Sequence, residues 1–155
     1  MKLKMERNNL MVEDAEIGFR NFAGVVGPYN KTGEKSFVIF LDPQDAEDLE
    51  TKGWNIKWPK ERDDIPPEED TRKPYFNVKV EFGEYPPKCV LIANDVVTQL
   101  DELGVAQLDT AEIEKVDVII NPYHWTVNGK SGVKAYLNSI YVTIVTNDFI
   151  ERYGI

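Results

Sequence analysis

Histidine and cysteine are almost absent from this chain, which holds one of each, His124 and Cys89. A single cysteine excludes an internal disulfide and fits a reducing, cytoplasmic compartment. Zinc sites built on His and Cys use about four such ligands, more than exist here. A Cys–His nucleophilic pair is formally available, but Cys89 lies in a strand-like run between Lys88 and Val90, where a buried thiol is inert. A lone histidine between Tyr123 and Trp125 can stack or hydrogen-bond without being a base or a ligand. No apolar run approaches the ~20 residues that span a bilayer, so no membrane partner is expected. The basic start, Met1-Lys2-Leu3-Lys4, is not followed by the apolar stretch of a signal peptide. No glycine-rich phosphate loop or dinucleotide fingerprint occurs, and Asp42, Asp45 and Asp48 lack the glycine-centred spacing of a calcium hand. A carboxylate-based nuclease site would need several acids converging in one pocket, whereas the acids here fall in loop-like segments. The chain is read as non-enzymatic, with no cofactor and no metal.

What the chain does have is acid, unevenly placed. Its 155 residues carry a net charge of −9, which argues against bulk attraction to duplex DNA. Residues 42–50 hold five acids, 61–70 six and 101–114 five. Segments 18–37 and 122–141 carry Arg20, Lys31, Lys35, Lys130 and Lys134 against one acid, Glu34. A basic stripe on one face is compatible with an acidic whole.

The pattern along the chain is mainly β. A strand is expected over 16–23, with Gly18 marking a bulge or bend. Turn chemistry fills 24–33, and a short strand covers 36–41. Asp42-Pro43 starts a brief helix through Ala46 and Leu49, ending near Lys52-Gly53. Residues 54–58 alternate, placing Trp54, Ile56 and Trp58 on one strand face. Residues 59–74, with four prolines and six acids, form a long exposed acidic loop. Over 75–82, Phe76, Val78, Val80 and Phe82 face one way and Tyr75, Asn77, Lys79 and Glu81 the other. Strands follow at 88–93 and 116–123, with irregular chain between them and a short helix at 110–113. Residues 125–132 signal a hairpin, 134–145 a long strand, and 146–155 a tail or short helix. About seven strands without βαβ rhythm make an all-β, mainly antiparallel barrel or sandwich, one domain over 1–155.

One texture survives the tests for chemistry: aromatics interleaved with cations and turn glycines. Single-stranded nucleic acid requires such a mix, since bases stack on rings while Lys and Arg follow the phosphates. The candidates are Arg20, Phe22, Tyr29, Lys31, Lys35, Trp54 and Lys57 in the first half of the chain. Tyr123, Trp125, Lys130, Lys134 and Tyr136 are those in the second. Phe37, Phe40, Phe76 and Phe82 are assigned to the core.

The order of segments resembles phage-type single-stranded DNA-binding proteins with an OB-fold core. The resemblance runs through Arg20-Asn21-Phe22, Tyr29 with Gly33 and Phe37-Val38-Ile39, then Tyr75-Phe76-Asn77-Val78 and Tyr85-Pro86-Pro87. It ends in Asn121-Pro122-Tyr123-His124-Trp125 and Asn128-Gly129-Lys130-Ser131-Gly132. It implies an OB-fold-like barrel that coats single-stranded DNA during phage replication or recombination in a bacterial host cell. It also implies contacts with replication or recombination proteins, and carries over Phe22, Tyr29, Lys31, Lys35, Tyr123, Trp125, Lys130, Lys134 and Tyr136 as DNA-contacting residues. Many such proteins end in a strongly acidic tail, whereas this chain ends in a mildly acidic, partly apolar one. A homodimer is compatible with the sequence. The competing reading is an acidic protein–protein interaction module, either a phage structural component or a DNA mimic that inhibits a host enzyme.

Overall fold

A computed structural model of the chain describes residues 1–146, and the expected tail falls almost wholly outside that range. Nine strands lie among the described residues: β1 (Lys2–Glu6), β2 (Asn9–Glu13), β3 (Glu16–Asn21), β4 (Ser36–Phe40), β5 (Tyr75–Lys79), β6 (Lys88–Ala93), β7 (Val96–Leu100), β8 (Ile113–Val127) and β9 (Lys130–Ile144). One α-helix, α1 (Pro43–Thr51), follows β4, and 3-10 turns occupy Pro67–Glu69 and Gly104–Asp109.

The strands form one mixed sheet in the order β1-β2-β8-β9-β5-β4-β3, with β6 attached to β9 and β7 to β6. The sheet curls into a ring because β2 and β3 act as one bent strand. The bend lies at Asp14, whose φ is 52°. On one side of it β2 pairs with β8; on the other β3 pairs with β4. At the bend itself, Ala15 N–H donates to the Val116 carbonyl at 2.8 Å. The circuit β2/β3–β4–β5–β9–β8 is the strand order of an OB-fold barrel, with β5 and β9 as its one parallel contact. Beyond Asn138, an extra residue that shifts the β8–β9 register, β9 leaves β5 and pairs in parallel with β6.

Alternation supplies the core. Phe76 and Val78 of β5, Phe37 and Ile39 of β4, and Val133, Ala135 and Leu137 of β9 turn inward and are buried. Helix α1 adds Ala46 and Leu49. It begins where the Asp42 carboxylate accepts the Asp45 N–H at 2.9 Å, ahead of Pro43 in the first turn.

Several sequence expectations need correction. Residues 54–58 are not a strand but a connector making isolated bridges, Trp54 to Val133 and Lys57 to Tyr75. The connector fills the wedge where β5 and β9 diverge, which buries Trp54 and Ile56 but leaves Trp58, expected on the same face, exposed. The N-terminal hairpin β1–β2, which buries Leu10 and Val12, and strand β7, exposed over its first four residues, add to the expected strands. The helix expected at 110–113 is replaced by the 3-10 turn at Gly104–Asp109, and Ile113 already begins β8. Strand β5 stops at Lys79, short of Phe82, which is only half-buried.

Residues 59–73 are exposed except for three half-buried positions, and Pro74 is buried. Within the segment, Arg62 pairs with Asp64 at 2.8 Å and Arg72 with Asp70 at 2.6 Å. The Arg72 guanidinium holds the Asp70 carboxyl at about 2. No described helix is long and apolar enough to cross a membrane.

Candidate nucleic-acid interface

The outer face of the barrel is set by the residues that alternate with the core. On β5 these are Tyr75, Asn77 and Lys79, and on β9 Lys134 and Tyr136. Parallel pairing places Lys79 beside Tyr136, and antiparallel pairing places Tyr123 of β8 beside Lys134. A pocket of about 180 Å³ between β5, β9 and the connector is lined by Lys57, Lys79 and Lys134, with Asn55 and Asn77. Three lysines therefore line one depression in a protein of net charge −9.

Aromatic rings flank this depression on both sides. Tyr123 and Tyr136 meet edge to face at 6.2 Å and line a larger cleft of about 490 Å³ with Tyr85, Pro86 and Pro87. Glu81 and Glu84 also line that cleft, so its far wall is acidic. On the other side, Phe19, Phe40 and Tyr75 form a three-ring cluster with centroids 5.5 to 5.9 Å apart. Phe19 sits in the β3 bulge with φ of 44° and is 69% exposed. A left-handed backbone at a bulky, exposed residue is strained and persists only where its surroundings enforce it. Phe40 can lie across β3 because position 18 is glycine: a Cβ there would stand 2.5 Å from the Phe40 ring.

The segment between β3 and β4 rises beside this face, braced by two asparagines. The Asn21 amide exchanges hydrogen bonds with the Val25 backbone at 2.8 and 3.1 Å. The Asn30 amide donates to the Val25 and Glu34 carbonyls and accepts from the Glu34 N–H. On either side of Asn30 the loop presents Tyr29, fully exposed, and Lys31. Lys35 leans on Glu102 at 3.5 Å and Lys79 on Glu34 at 3.5 Å. Such exposed pairs are worth about 0–1 kcal/mol, so an incoming phosphate can replace either carboxylate.

Three sequence candidates offer this face no free ring or guanidinium. Phe22 is fully buried and stacks on Phe37 at 5.1 Å. Trp54 lines the depression but is buried edge-on against Phe76 at 5.2 Å. Arg20 turns its guanidinium to the Leu108 and Ala111 carbonyls, both at 2.8 Å. It ties β3 to the segment before β8, where the Asp109 carboxylate also accepts the Phe22 and Ala23 N–H groups.

Trp125 and Lys130 lie on the β8–β9 hairpin, above Lys134 and Tyr136. The Trp125 ring covers Gly132, where a Cβ would approach it to 2.8 Å. Sequence reasoning passed over Phe19, Tyr75 and Lys79 and assigned Phe40 to the core. The outward alternation of Tyr75 and Lys79 was the available signal. For Phe19 it was the adjacent Gly18.

Cys89 is fully buried, and burial pushes its thiol up to about 11. Among the described residues, no three of His, Cys, Asp and Glu are grouped to hold a metal ion. What the face offers is ring surface and ammonium groups side by side.

No curated protein matches the chain by sequence. Among solved structures, the single-stranded DNA-binding protein from bacteriophage Enc34 is similar at 9% identity, covering 95% of this chain and 92% of its own, with a TM-score of 0.52. The same phage protein in complex with ssDNA gives a TM-score of 0.54 at 9% identity, covering 90% of this chain and 88% of its own. Its C-terminal truncation gives 0.53 at 9% identity, covering 90% and 87%. These likenesses show a shared fold. A family match extends over residues 1–155, and the chain belongs to the putative phage ssDNA-binding domain family.

Proposed function

We propose that the chain, acting as one domain, binds single-stranded DNA without sequence specificity, coating strands exposed in phage replication or recombination inside the host cell. The observation that carries this reading is the lysine-lined depression of Lys57, Lys79 and Lys134 between two groups of rings, each with one exposed member, Phe19 or Tyr123. In barrels of this class the outer face of the second and third strands, with the loops joining strands one to two and four to five, holds oligonucleotides. Here those parts are β4 and β5, the segment bearing Tyr29 and Lys31, and the hairpin bearing Trp125 and Lys130. Family membership and the ssDNA complex of the similar phage protein support the same reading.

The mechanism needs no reacting group. Unpaired bases stack on Tyr123, Tyr136 and the Phe19–Phe40–Tyr75 cluster, each stack contributing about 1–3 kcal/mol. Phosphates pass over the lysines and release counterions, so affinity falls as salt rises. Duplex DNA hides its base faces and meets a net negative molecule, which leaves it the weaker ligand. Titration of a short single-stranded oligonucleotide against a duplex of equal length, at low and moderate salt, tests the proposal. Salt-sensitive binding of the single strand with weak duplex binding is the expected result. No single-strand binding at low salt would end it.

A further inference from the structure

Three strands have a single sheet neighbour among the described residues, β1, β3 and β7; the segment at 108–111 covers β3 through Arg20 and Asp109, which leaves β1 and β7 open. An open edge presents unpaired N–H and C=O groups, and proteins ordinarily guard it with charge or proline. Strand β1 carries Lys2, Lys4 and Glu6. Strand β7, Val96-Val97-Thr98-Gln99-Leu100, has no charge, and its first four residues are exposed. Acids flank it instead, Asp95 on one side and Asp101 and Glu102 on the other.

The free backbone groups on each edge follow from the hairpin turns. Arg7-Asn8 and Asn94-Asp95 are two-residue turns with positive φ throughout, of the kind that closes tight hairpins. Their flanking pairs, Glu6 with Asn9 and Ala93 with Val96, begin the hydrogen-bonded alternation. On β1 that leaves the backbone groups of Leu3 and Met5 pointing outward; on β7 it leaves those of Val97 and Gln99.

We infer that β1 of one copy pairs antiparallel with β7 of the next, so that copies join head to tail. Setting Met5 opposite Val97 and Leu3 opposite Gln99 matches every outward group over both five-residue strands. The same register brings Arg7 opposite Asp95 and puts Lys2 diagonally near Glu102. Met5, 43% exposed, then covers Val97, 67% exposed. The two-fold alternatives fit less well. Two β7 strands centred on Thr98 set Asp95 against Asp101, and two β1 strands in their matching register set Lys4 against Lys4. Like charges directly opposite destabilise a sheet. A contact between two different surfaces does not close on itself and builds an open row. A strand of DNA spanning several copies raises their local concentration and extends that row.

Two edge-blocked variants of the full chain test this. Val97→Pro removes an outward donor on β7 and Met5→Pro removes one on β1, and neither removes an internal hairpin bond. Circular dichroism confirms that each folds. Light scattering over a range of concentrations, with and without a long oligonucleotide, reads the assembly. The wild-type mass is expected to rise past that of two chains, most clearly on the long oligonucleotide. Each variant alone should remain a monomer, while their mixture should stop at a one-to-one pair. A wild-type chain that stays monomeric in every arm overturns the inference, whether residues 147–155, another protein or nothing covers β7. Closed wild-type dimers, or a Val97→Pro chain that assembles like the wild type, overturn it too. A short oligonucleotide that holds one copy reports DNA binding separately, so assembly can fail while the proposed function stands.

Discussion

Exposure separates the aromatic residues into two kinds with opposite mutational signatures. Tyr123→Ala removes an exposed ring and is expected to weaken single-strand binding by about 1–3 kcal/mol while leaving the urea midpoint unchanged. Phe22→Ala removes a buried ring stacked on Phe37 and should cost about 3–5 kcal/mol of stability. Oligonucleotide titration and urea denaturation of both variants check the division; a Phe22→Ala chain of wild-type stability would contradict it. Cys89 gives a pH test. Burial raises its thiol from 9.0 to about 11, favouring the neutral form in the folded chain. That contribution is complete below the unfolded value and is lost as pH rises towards 11. The wild type should therefore lose more stability on the alkaline limb than Cys89→Ala does. Parallel limbs for the two chains would show the thiol to be unshifted.

Among the elements, the parallel contact of β5 with β9 makes the candidate site. It sets Lys79 next to Tyr136, and the connector below adds Lys57 to the same depression. Each lysine that neutralises a phosphate contributes about 0.7 to the slope of log affinity against log salt on a single strand. Replacing Lys57 or Lys134 with alanine should lower the magnitude of that slope by roughly this amount and shift affinity similarly for all base compositions. Titrations of homopolymeric oligonucleotides at several salt concentrations measure it, and an unchanged slope would remove that lysine from the phosphate path. The β3 bulge has the complementary role of turning Phe19 outward towards Phe40 and Tyr75. Its signature, Gly18 before two aromatics in six residues, was legible as a bend, but which side the bend exposes was not.

For the whole molecule, the decisive quantity is the contrast between a net charge of −9 and a local cluster of lysines. The exposed segment 59–73 concentrates acid without lining that cluster. Neutralising Glu68 and Glu69 as glutamines should raise single-strand affinity at low salt. The gain should fade near physiological salt, where charges more than about 8 Å apart are screened. Equal gains at both salt concentrations would mean that those carboxylates touch the ligand instead.

Much of the architecture was written locally. The outward set of Tyr75, Asn77 and Lys79, the Asp42-Pro43 helix start, the bend at Gly18 and the Asn128-Gly129 hairpin each follow from side-chain period or turn chemistry within a few residues. Four residues of the candidate face, Tyr123, Lys130, Lys134 and Tyr136, lie within one hairpin whose turn chemistry is local. The tertiary structure alone decided what required distant segments to meet. Trp54 and Phe22 carry the same ring-beside-polar texture as Tyr136, and only packing against Phe76 and Phe37 takes them inside. Arg20 looks like a phosphate contact until Leu108 and Ala111 arrive from 88 and 91 residues away. Burial and long-range hydrogen bonding depend on which strands become neighbours, and no local pattern contains that choice.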